Sequence, residues 1–281
     1  MKKLIFTLFV GLSTCLGASA QTALQKMVDA EHAFAAMAAE KGNRAAFLAY
    51  MTDDALGFSP ERGSAKASWT ARKENGALLS WAPNYADISS DGKVGYTTGN
   101  WEWRPKKGDE PKAFGDFITI WTLQADGSYR WPVDIGISHD KPAGGYSEKW
   151  ATAAKPTMIS SRSFPLKGVD TAFWATAAKD GLAAAYKKYA ATDIRSYRDE
   201  KAQFLGRDAA STQAVAEKGT VKISGERVEH VGSDIVGVLS GYERSYAGKV
   251  VETGNVLQIW KRVVGKWQLV LDIFLPVPEK K

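Results

Sequence analysis

The apolar residues near the start of the chain recur at helical spacing. The residues that share one helical face are Leu24, Met27, Val28, Phe34 and Ala38. This spacing predicts a helix that Gly42 ends in a left-handed cap. Asn43 is expected to be the N-cap of a second helix, with Phe47 and Leu48 on its apolar face. A third helix is predicted over residues 64–74, and its equivalent over residues 207–217.

After these helices the pattern changes to the alternation that is typical of strands. Asp91-Gly92 is a hairpin turn signal that leads into the first alternating segment. Strands are predicted over residues 94–103, 114–123, 129–138, 235–246, 250–261 and 267–275. Helices followed by a long antiparallel meander indicate an α+β fold, with one sheet face packed on the helices.

The chain repeats itself at a separation of 139 residues. Pairs at this separation include Phe34 with Phe173, Gly42 with Gly181, Phe47 with Tyr186, Asp54 with Asp193 and Trp121 with Trp260. Near the end of each unit, Asp134-Ile135 matches Asp272-Ile273 at a separation of 138 residues, one fewer than for the other pairs. We therefore expect one unit used twice, as domains over residues 21–140 and 168–278. The linker, residues 141–167, is rich in Pro, Gly, Ser and Thr, and its Tyr146 and Trp150 indicate contact with a domain surface.

The first twenty residues resemble a signal peptide. Lys2-Lys3 precedes an apolar segment over residues 4–12, and Ala18-Ser19-Ala20 supplies a cleavage site before Gln21. The expected location is periplasmic or secreted; the alternative is a buried first helix. Lipoprotein anchoring through Cys15 is disfavoured because Thr14 precedes the cysteine.

Composition narrows the possible functions. Of 281 residues, 44% are hydrophobic and 24% charged, which indicates a folded protein and excludes disordered and collagen-like chains. No apolar run of about 18 residues follows the N-terminus, so no membrane span is expected. The net charge is +6, but the basic residues are scattered, so no nucleic-acid partner is expected. Cys15 is the single cysteine, and the three histidines are scattered, so no disulfide and no metal site are expected.

Several motifs resemble one superfamily. They are Leu79-Ser80-Trp81-Ala82-Pro83, Gly95-Tyr96-Thr97-Thr98-Gly99-Asn100-Trp101, Gly115 to Trp121, Asp126-Gly127-Ser128-Tyr129 and Asp134-Ile135-Gly136. On these residues the first unit resembles the nuclear-transport-factor-2-like (NTF2-like) superfamily, which includes SnoaL-like cyclases and ketosteroid isomerases, and within it an uncharacterised bacterial branch. The resemblance covers residues 24–139 and, more loosely, 168–275. The second unit departs from it, with Glu243 in the place of Trp101.

The resemblance implies two tandem cone-shaped α+β domains. Each has three N-terminal helices packed on a curved antiparallel sheet, and each encloses a cavity that is the default ligand site. No nucleotide loop or nucleophile elbow is present, so no cofactor is expected. The superfamily contains enzymes, carriers and assembly modules, so the fold leaves catalysis open.

Two carboxylates are candidates for a catalytic base. Asp134 lies on the last predicted strand, and its presence in both units as Asp134 and Asp272 also suits a structural role. Asp116 has an amide, Asn255, as its counterpart. This difference suits either an acid–base site in one cone or an exposed strand position.

The candidate ligand-binding residues are Trp69, Trp81, Tyr96, Trp101, Trp103 and His139. Indole rings confined to the first unit can line a pocket for an aromatic molecule, with the ring N–H as a polar group. Packing in the core or between the domains is the alternative for most of them. His139 has no counterpart in the second unit, and a role at the domain edge is its alternative.

Three functions are compatible with these observations. The first is binding of a small, apolar or aromatic molecule in the first cone of an exported protein. The second is an isomerase or cyclase that uses a carboxylate base, and the third is a non-catalytic partner-binding module. An open cone with an unpaired carboxylate at its floor would favour the enzyme. An open cone with only apolar walls would favour small-molecule binding, and a cone filled by side chains would favour the partner-binding module. We expect the two units to form an intramolecular pseudo-dimer, with a homodimer also possible.

Overall fold

The structure, a computed structural model, describes residues 13–58, 61–142, 150–153 and 165–278, with side chains from Thr22 onward. The helices are α1 (Ser13–Lys41), α2 (Asn43–Tyr50), α3 (Ala65–Ala71), α4 (Lys167–Asp180), α5 (Leu182–Tyr189) and α6 (Arg207–Ala216). The strands of the first half are β1 (Met51–Phe58), β2 (Arg62–Ser64), β3 (Leu78–Ile88), β4 (Val94–Arg104), β5 (Ala113–Leu123), β6 (Tyr129–His139) and β7 (Ala151–Thr152). Those of the second half are β8 (Ala190–Arg198), β9 (Phe204–Leu205), β10 (Thr220–Val231), β11 (Ile235–Tyr246), β12 (Lys249–Val263) and β13 (Lys266–Pro276).

The described strands form two sheets of matching topology. Their orders are β2-β1-β6-β5-β4-β3-β7 and β10-β11-β12-β13-β8-β9. The structure confirms the prediction of two α+β cones. Neither sheet is purely antiparallel, however, because β1 runs parallel to β6 and β8 parallel to β13. These two strands follow α2 and α5 directly, without a turn signal, and the sequence analysis did not predict them.

Strand register places the two halves in correspondence. Leu56 faces Val133 in the first sheet, and Arg195 faces Leu271 in the second. Asp134 and Asp272 are therefore equivalent, and the residues beside them on the parallel strand are Gly57 and Ser196.

The register also corrects one sequence assignment. Trp101 pairs with Gly115, whereas Tyr242 pairs with the equivalent glycine, Gly254. Tyr242 is therefore the counterpart of Trp101, and the assignment of Glu243 to that place was wrong. Two additional residues between α4 and β11 shift the separation from 139 to 141, and local sequence matching does not detect this shift.

The turns between the first helices depend on glycine. Gly42 and Gly181 have φ of 89° and 88°, a region that favours glycine. Asn43 is not the N-cap that we predicted; it is the first residue of α2, after Gly42. Its amide donates to the Ala77 carbonyl (3.0 Å) and accepts from the Leu79 N–H (3.1 Å), so it fixes α2 to the start of β3.

Each sheet packs one face on the helices of its own unit and the other face on the sheet of the other unit. The cluster between the sheets contains Ile118, Ile120, Val133, Ile135, Tyr197, Leu239, Leu257, Ile259 and Ile273. Polar contacts join the same surfaces: Lys261 forms a buried ion pair with Asp87, and the Ser90 N–H donates to Asp234 (2.7 Å). The two units thus pack through their sheets, as expected for a pseudo-dimer.

Part of the linker lies on the first unit. Ala151 and Thr152 pair with Tyr85 and Ala86 of β3, and Trp150 packs against the helix-side core. The expected contact of Tyr146 lies outside the described residues. In the described part of the chain, no helix is long and apolar enough to cross a membrane.

Candidate functional site

A cavity of about 500 Å³ lies between α2, α3 and the concave face of the first sheet. Its aromatic walls are Phe47, Phe58, Trp69, Trp81, Trp101, Phe117 and Trp131. Asp134 on β6 also lines it. Of the residues predicted from sequence, the structure thus brings Trp69, Trp81, Trp101 and Asp134 together in one concave site.

Glycines make room for the indole of Trp101. A Cβ atom at Gly115, the residue opposite on β5, would collide with this ring, and Gly136 on β6 approaches the same ring. The indole N–H of Trp101 donates to the Asp116 carbonyl (3.2 Å). The ring therefore lies on a flat part of the sheet from which side chains are absent.

Trp69 is held on the opposite wall by stacking. Its ring lies 3.9 Å from that of Phe47 at an interplanar angle of 19°, and the Arg72 guanidinium lies 4.2 Å from the Trp69 ring centre. A second cavity, of about 420 Å³, shares Trp69, Arg72, Leu79 and Trp101 with the first. Trp103, which is 36% exposed, lines only this outer space.

Asp134 has few polar partners. The Thr119 hydroxyl donates to it (2.9 Å), and no cation among the described residues pairs with it. Burial and, secondly, the charge of Glu31 raise the pKa of Asp134 to about 7, against the hydrogen bond from Thr119. At neutral pH this carboxyl is therefore divided between its protonated and ionised forms.

The sequence analysis missed Glu31 on α1, a buried acid that holds the Trp81 wall of the cavity. Its buried carboxylate accepts hydrogen bonds from the Trp81 indole (2.6 Å), the Thr97 hydroxyl (2.5 Å) and the Trp121 indole (3.0 Å). Burial raises the pKa of Glu31, and these donors act in the opposite direction. The available signal was its position on the apolar face of the predicted helix, where an acid is out of place.

Two tryptophans deep in the first unit differ in their hydrogen bonding. The Trp121 N–H donates to Glu31 and to Thr97, both at 3.0 Å. The Trp131 Nε1 is buried and has no hydrogen-bond partner among the described residues. A buried donor without an acceptor is uncommon in proteins and costs free energy.

Tyr96, Asp116 and His139 do not reach the cavity. They lie on the opposite face of the sheet, against the second unit. Asn100 donates to Asp116 (2.5 Å), and the second carboxylate oxygen lies 3.4 Å from His139 Nε2. Burial raises the pKa of Asp116, with His139 and Asn100 opposing the effect. Alternation separates the two faces of a strand, but both faces are buried here, so the pattern did not show which one meets the helices.

The equivalent acid in the second unit is fully compensated. Asp272 accepts hydrogen bonds from Tyr186 Oη (2.5 Å) and Ser196 Oγ (2.6 Å), and it pairs with Arg198 Nη1 (3.2 Å). Arg198 in turn pairs with Glu217 (2.9 Å).

A phenylalanine fills the space beside this acid. Phe274, the counterpart of Gly136, is buried. Its ring centre lies 4.9 Å from that of Tyr242 and 4.1 Å from the Arg198 guanidinium carbon. In the first unit, Phe47 and Gly57 stand where Tyr186 and Ser196 stand in the second, and Ser59 matches Arg198 in the 139-residue repeat of the sequence. Ser59 lies outside the described residues. Side chains thus occupy the second cone at positions where the first cone has smaller or less polar residues.

Comparison with known proteins returns structural likenesses only. No family model matches the chain, and no curated protein matches it. Solved structures that it is similar to include a protein of unknown function with a cystatin-like fold from Nostoc punctiforme (13% identity, TM-score 0.34). They also include an NTF2-like protein of unknown function from Pseudomonas putida (14%, 0.35) and a putative ketosteroid isomerase from Parabacteroides distasonis (13%, 0.33).

Each likeness covers 40–41% of this chain and 85–90% of the other. Two of these structures, from Pseudomonas putida and Parabacteroides distasonis, carry names from the superfamily that the sequence resembles. Since their TM-scores are below 0.5, we draw nothing about function from them.

Proposed function

We propose that the first unit binds a small, planar, largely apolar molecule in its cone, with a polar group of that molecule at Asp134. The observation that carries this proposal is the cavity of about 500 Å³, which seven aromatic residues line together with Asp134. Stacked and edge-on rings supply a large apolar contact area, and a single polar group orients the guest. The buried Phe274, which stands in the second cone where the first has Gly136, supports the assignment of binding to the first.

The proposal is tested by calorimetric titration of the purified chain with 2-naphthol and with 2-methylnaphthalene, which has the same shape without the hydroxyl. We expect 2-naphthol to bind more tightly, because its hydroxyl can donate to Asp134. Gly136→Leu places a side chain against Trp101 and should weaken binding at least tenfold. Gly168→Leu is the matched control, since a Cβ at Gly168 meets no atom within 4 Å. Failure of both compounds to bind would contradict the proposal.

Proton transfer is a second candidate, and the acid itself favours it. A base works best when its pKa lies near the working pH, and burial with Glu31 raises the pKa of Asp134 to about 7. Ionised Asp134 would remove a proton from the carbon beside a ketone and return it to the same or a neighbouring carbon. In D₂O, the C1 protons of 2-tetralone should exchange faster with the protein than without it, as followed by NMR. An unchanged rate in Asp134→Asn would remove this candidate.

We also propose that the chain is exported, because its first twenty residues have the charge, apolar length and small residues of a signal peptide. The described core residues of α1 begin at Leu24, after the expected cleavage site. N-terminal sequencing of the protein recovered from the periplasm should begin at Gln21. Recovery of the uncleaved chain from the cytoplasm would contradict export.

A further inference from the structure

The cavity of the first unit extends to the outer end of β6. The β6 side that faces the helices carries Asp134, Gly136 and Ser138, and all three line the cavity. At about 3.4 Å per strand residue, Asp134 and Ser138 are about 14 Å apart along the strand. Ser138 is exposed, whereas Asp134 is only partly so. The cavity therefore runs from a deep polar end at Asp134 to an open end at Ser138.

A turn of the second unit is attached at this open end. Asp199 and Glu200 follow β8 directly; Asp199 Oδ1 accepts from the Ser138 N–H (2.9 Å), and the Glu200 N–H donates to the Ser138 carbonyl (2.7 Å). Both backbone polar groups of Ser138 are thus used by the second unit. Glu200 has φ of 61°, which is uncommon for a residue with a side chain and persists only where neighbours hold it.

The C-terminal end of β13 forms the adjoining part of the wall. Leu275, Pro276 and Pro278 line the first cavity together with Asp199. The Val277 N–H donates to the Thr253 carbonyl (2.8 Å), which holds the segment on β12. The two prolines have a fixed φ, so this part of the wall is stiff.

We infer that the second unit forms a specificity wall for the first cone, made of Asp199, Leu275, Pro276 and Pro278. This inference rests on the proposed function, since it concerns the outer end of the same guest. Leu275 and the prolines offer apolar contact, so an elongated guest with an apolar outer end is favoured. The Asp199 carboxylate disfavours an anion on this side of the opening, while Arg72 lines the α3 side. The wall thus selects the length and the charge of the guest.

The test compares a short and a long probe that share one end. The short probe is 2-naphthol, and the long probe is 6-phenyl-2-naphthol, whose added ring reaches toward the opening when the hydroxyl lies at Asp134. We expect Leu275→Ala to weaken the long probe at least fivefold and to change the short probe less than twofold. Leu205→Ala is the matched control, because Leu205 is an exposed leucine of the same unit, outside the cavity lining.

A second variant keeps the test valid if Leu275→Ala does not fold. Asp199→Asn retains an oxygen for the Ser138 N–H and removes the charge, so it should strengthen binding of 6-carboxy-2-naphthol and leave 2-naphthol unchanged. The wall alone would be overturned if Leu275→Ala changed the binding of 2-naphthol and 6-phenyl-2-naphthol equally and Asp199→Asn changed that of 2-naphthol and 6-carboxy-2-naphthol equally. In that case 2-naphthol would still report binding in the cone. Absence of binding by every probe to the unmodified chain would overturn the proposed function as well.

Discussion

The same acid on the same strand has opposite surroundings in the two units. Asp272 has a cation, a phenol and a hydroxyl beside it, and Phe274 fills the adjoining space. Asp134 has one hydroxyl, and its space is a cavity. The fold sets where the acid lies, and a few neighbouring side chains decide whether it stabilises the unit or faces a guest.

The difference follows from elementary electrostatics. A buried carboxylate is costly unless charge and hydrogen bonds compensate it. The second unit supplies both through Arg198, Tyr186 and Ser196. The first unit lacks this compensation, so the pKa of Asp134 is raised. Raised carboxyl pKa values of this kind are typical of functional sites.

The largest expected effect comes from breaking the compensation in the second unit. Arg198→Met leaves Asp272 buried without a cation and should lower the free energy of unfolding by about 3–5 kcal/mol. Urea denaturation at pH 7 measures this. The double variant Arg198→Met with Asp272→Asn should recover part of the loss, because no uncompensated charge remains. A loss below about 1 kcal/mol in the single variant would show that the pairing is not important for stability.

The next comparison concerns two buried indoles of the first unit. Trp121→Phe removes the donor to Glu31 and Thr97 and should cost about 1–3 kcal/mol more than Trp131→Phe, whose N–H has no described partner. Both variants keep a ring and lose similar volume, so each controls for the other. Equal thermal denaturation midpoints would indicate that Trp131 has an acceptor after all.

The third comparison uses pH. Asp134 has a pKa of about 7 in the folded chain, against about 3.9 when unfolded. Between these values the folded state retains a proton that the unfolded state has released, so stability falls as pH rises from about 4 to about 7. Asp134→Asn lacks this loss, and its stability relative to the unmodified chain should rise by about 3 kcal/mol across that interval. Urea midpoints from pH 4.5 to 8 check this; a constant difference would contradict the raised pKa.

The smallest effect tests whether one unit can be changed toward the other. Phe47→Tyr places a phenol in the first unit where Tyr186 donates to Asp272 in the second. The stack on Trp69 is retained, and stability should change by less than about 1 kcal/mol. The added donor should lower the pKa of Asp134, as followed by carboxyl NMR titration. An unchanged pKa would mean that the two helices hold these rings differently.

Sequence reasoning predicted the architecture well because its signals are local. Alternation, hairpin turns and the 139-residue repeat found three strands of each meander and the three helices of each unit. Strands β1 and β8 lack a turn before them, and β3 and β10 were not predicted as strands. The repeat was matched on local similarity, so Glu243 was placed one position away from Tyr242, the true counterpart of Trp101.

The site was predicted less completely for a physical reason. Indoles confined to one unit led to Trp69, Trp81 and Trp101, and strand position led to Asp134. Tyr96, Asp116 and His139 were placed in the same site although they face the second unit. A sheet covered on both sides has apolar residues on both faces, and only the packing shows which face lines a cavity. Glu31 was missed because its partners lie on strands 50 to 90 residues away.

The bare patch of sheet under Trp101 has a consequence for how this cone can change. Gly136 already has the smallest side chain, so every substitution there narrows the chamber, and none widens it. A bulkier guest requires instead that a smaller residue replace one of the surrounding aromatic residues. The two directions of adaptation therefore fall on different residues, and variation at Gly136 can only favour slimmer guests.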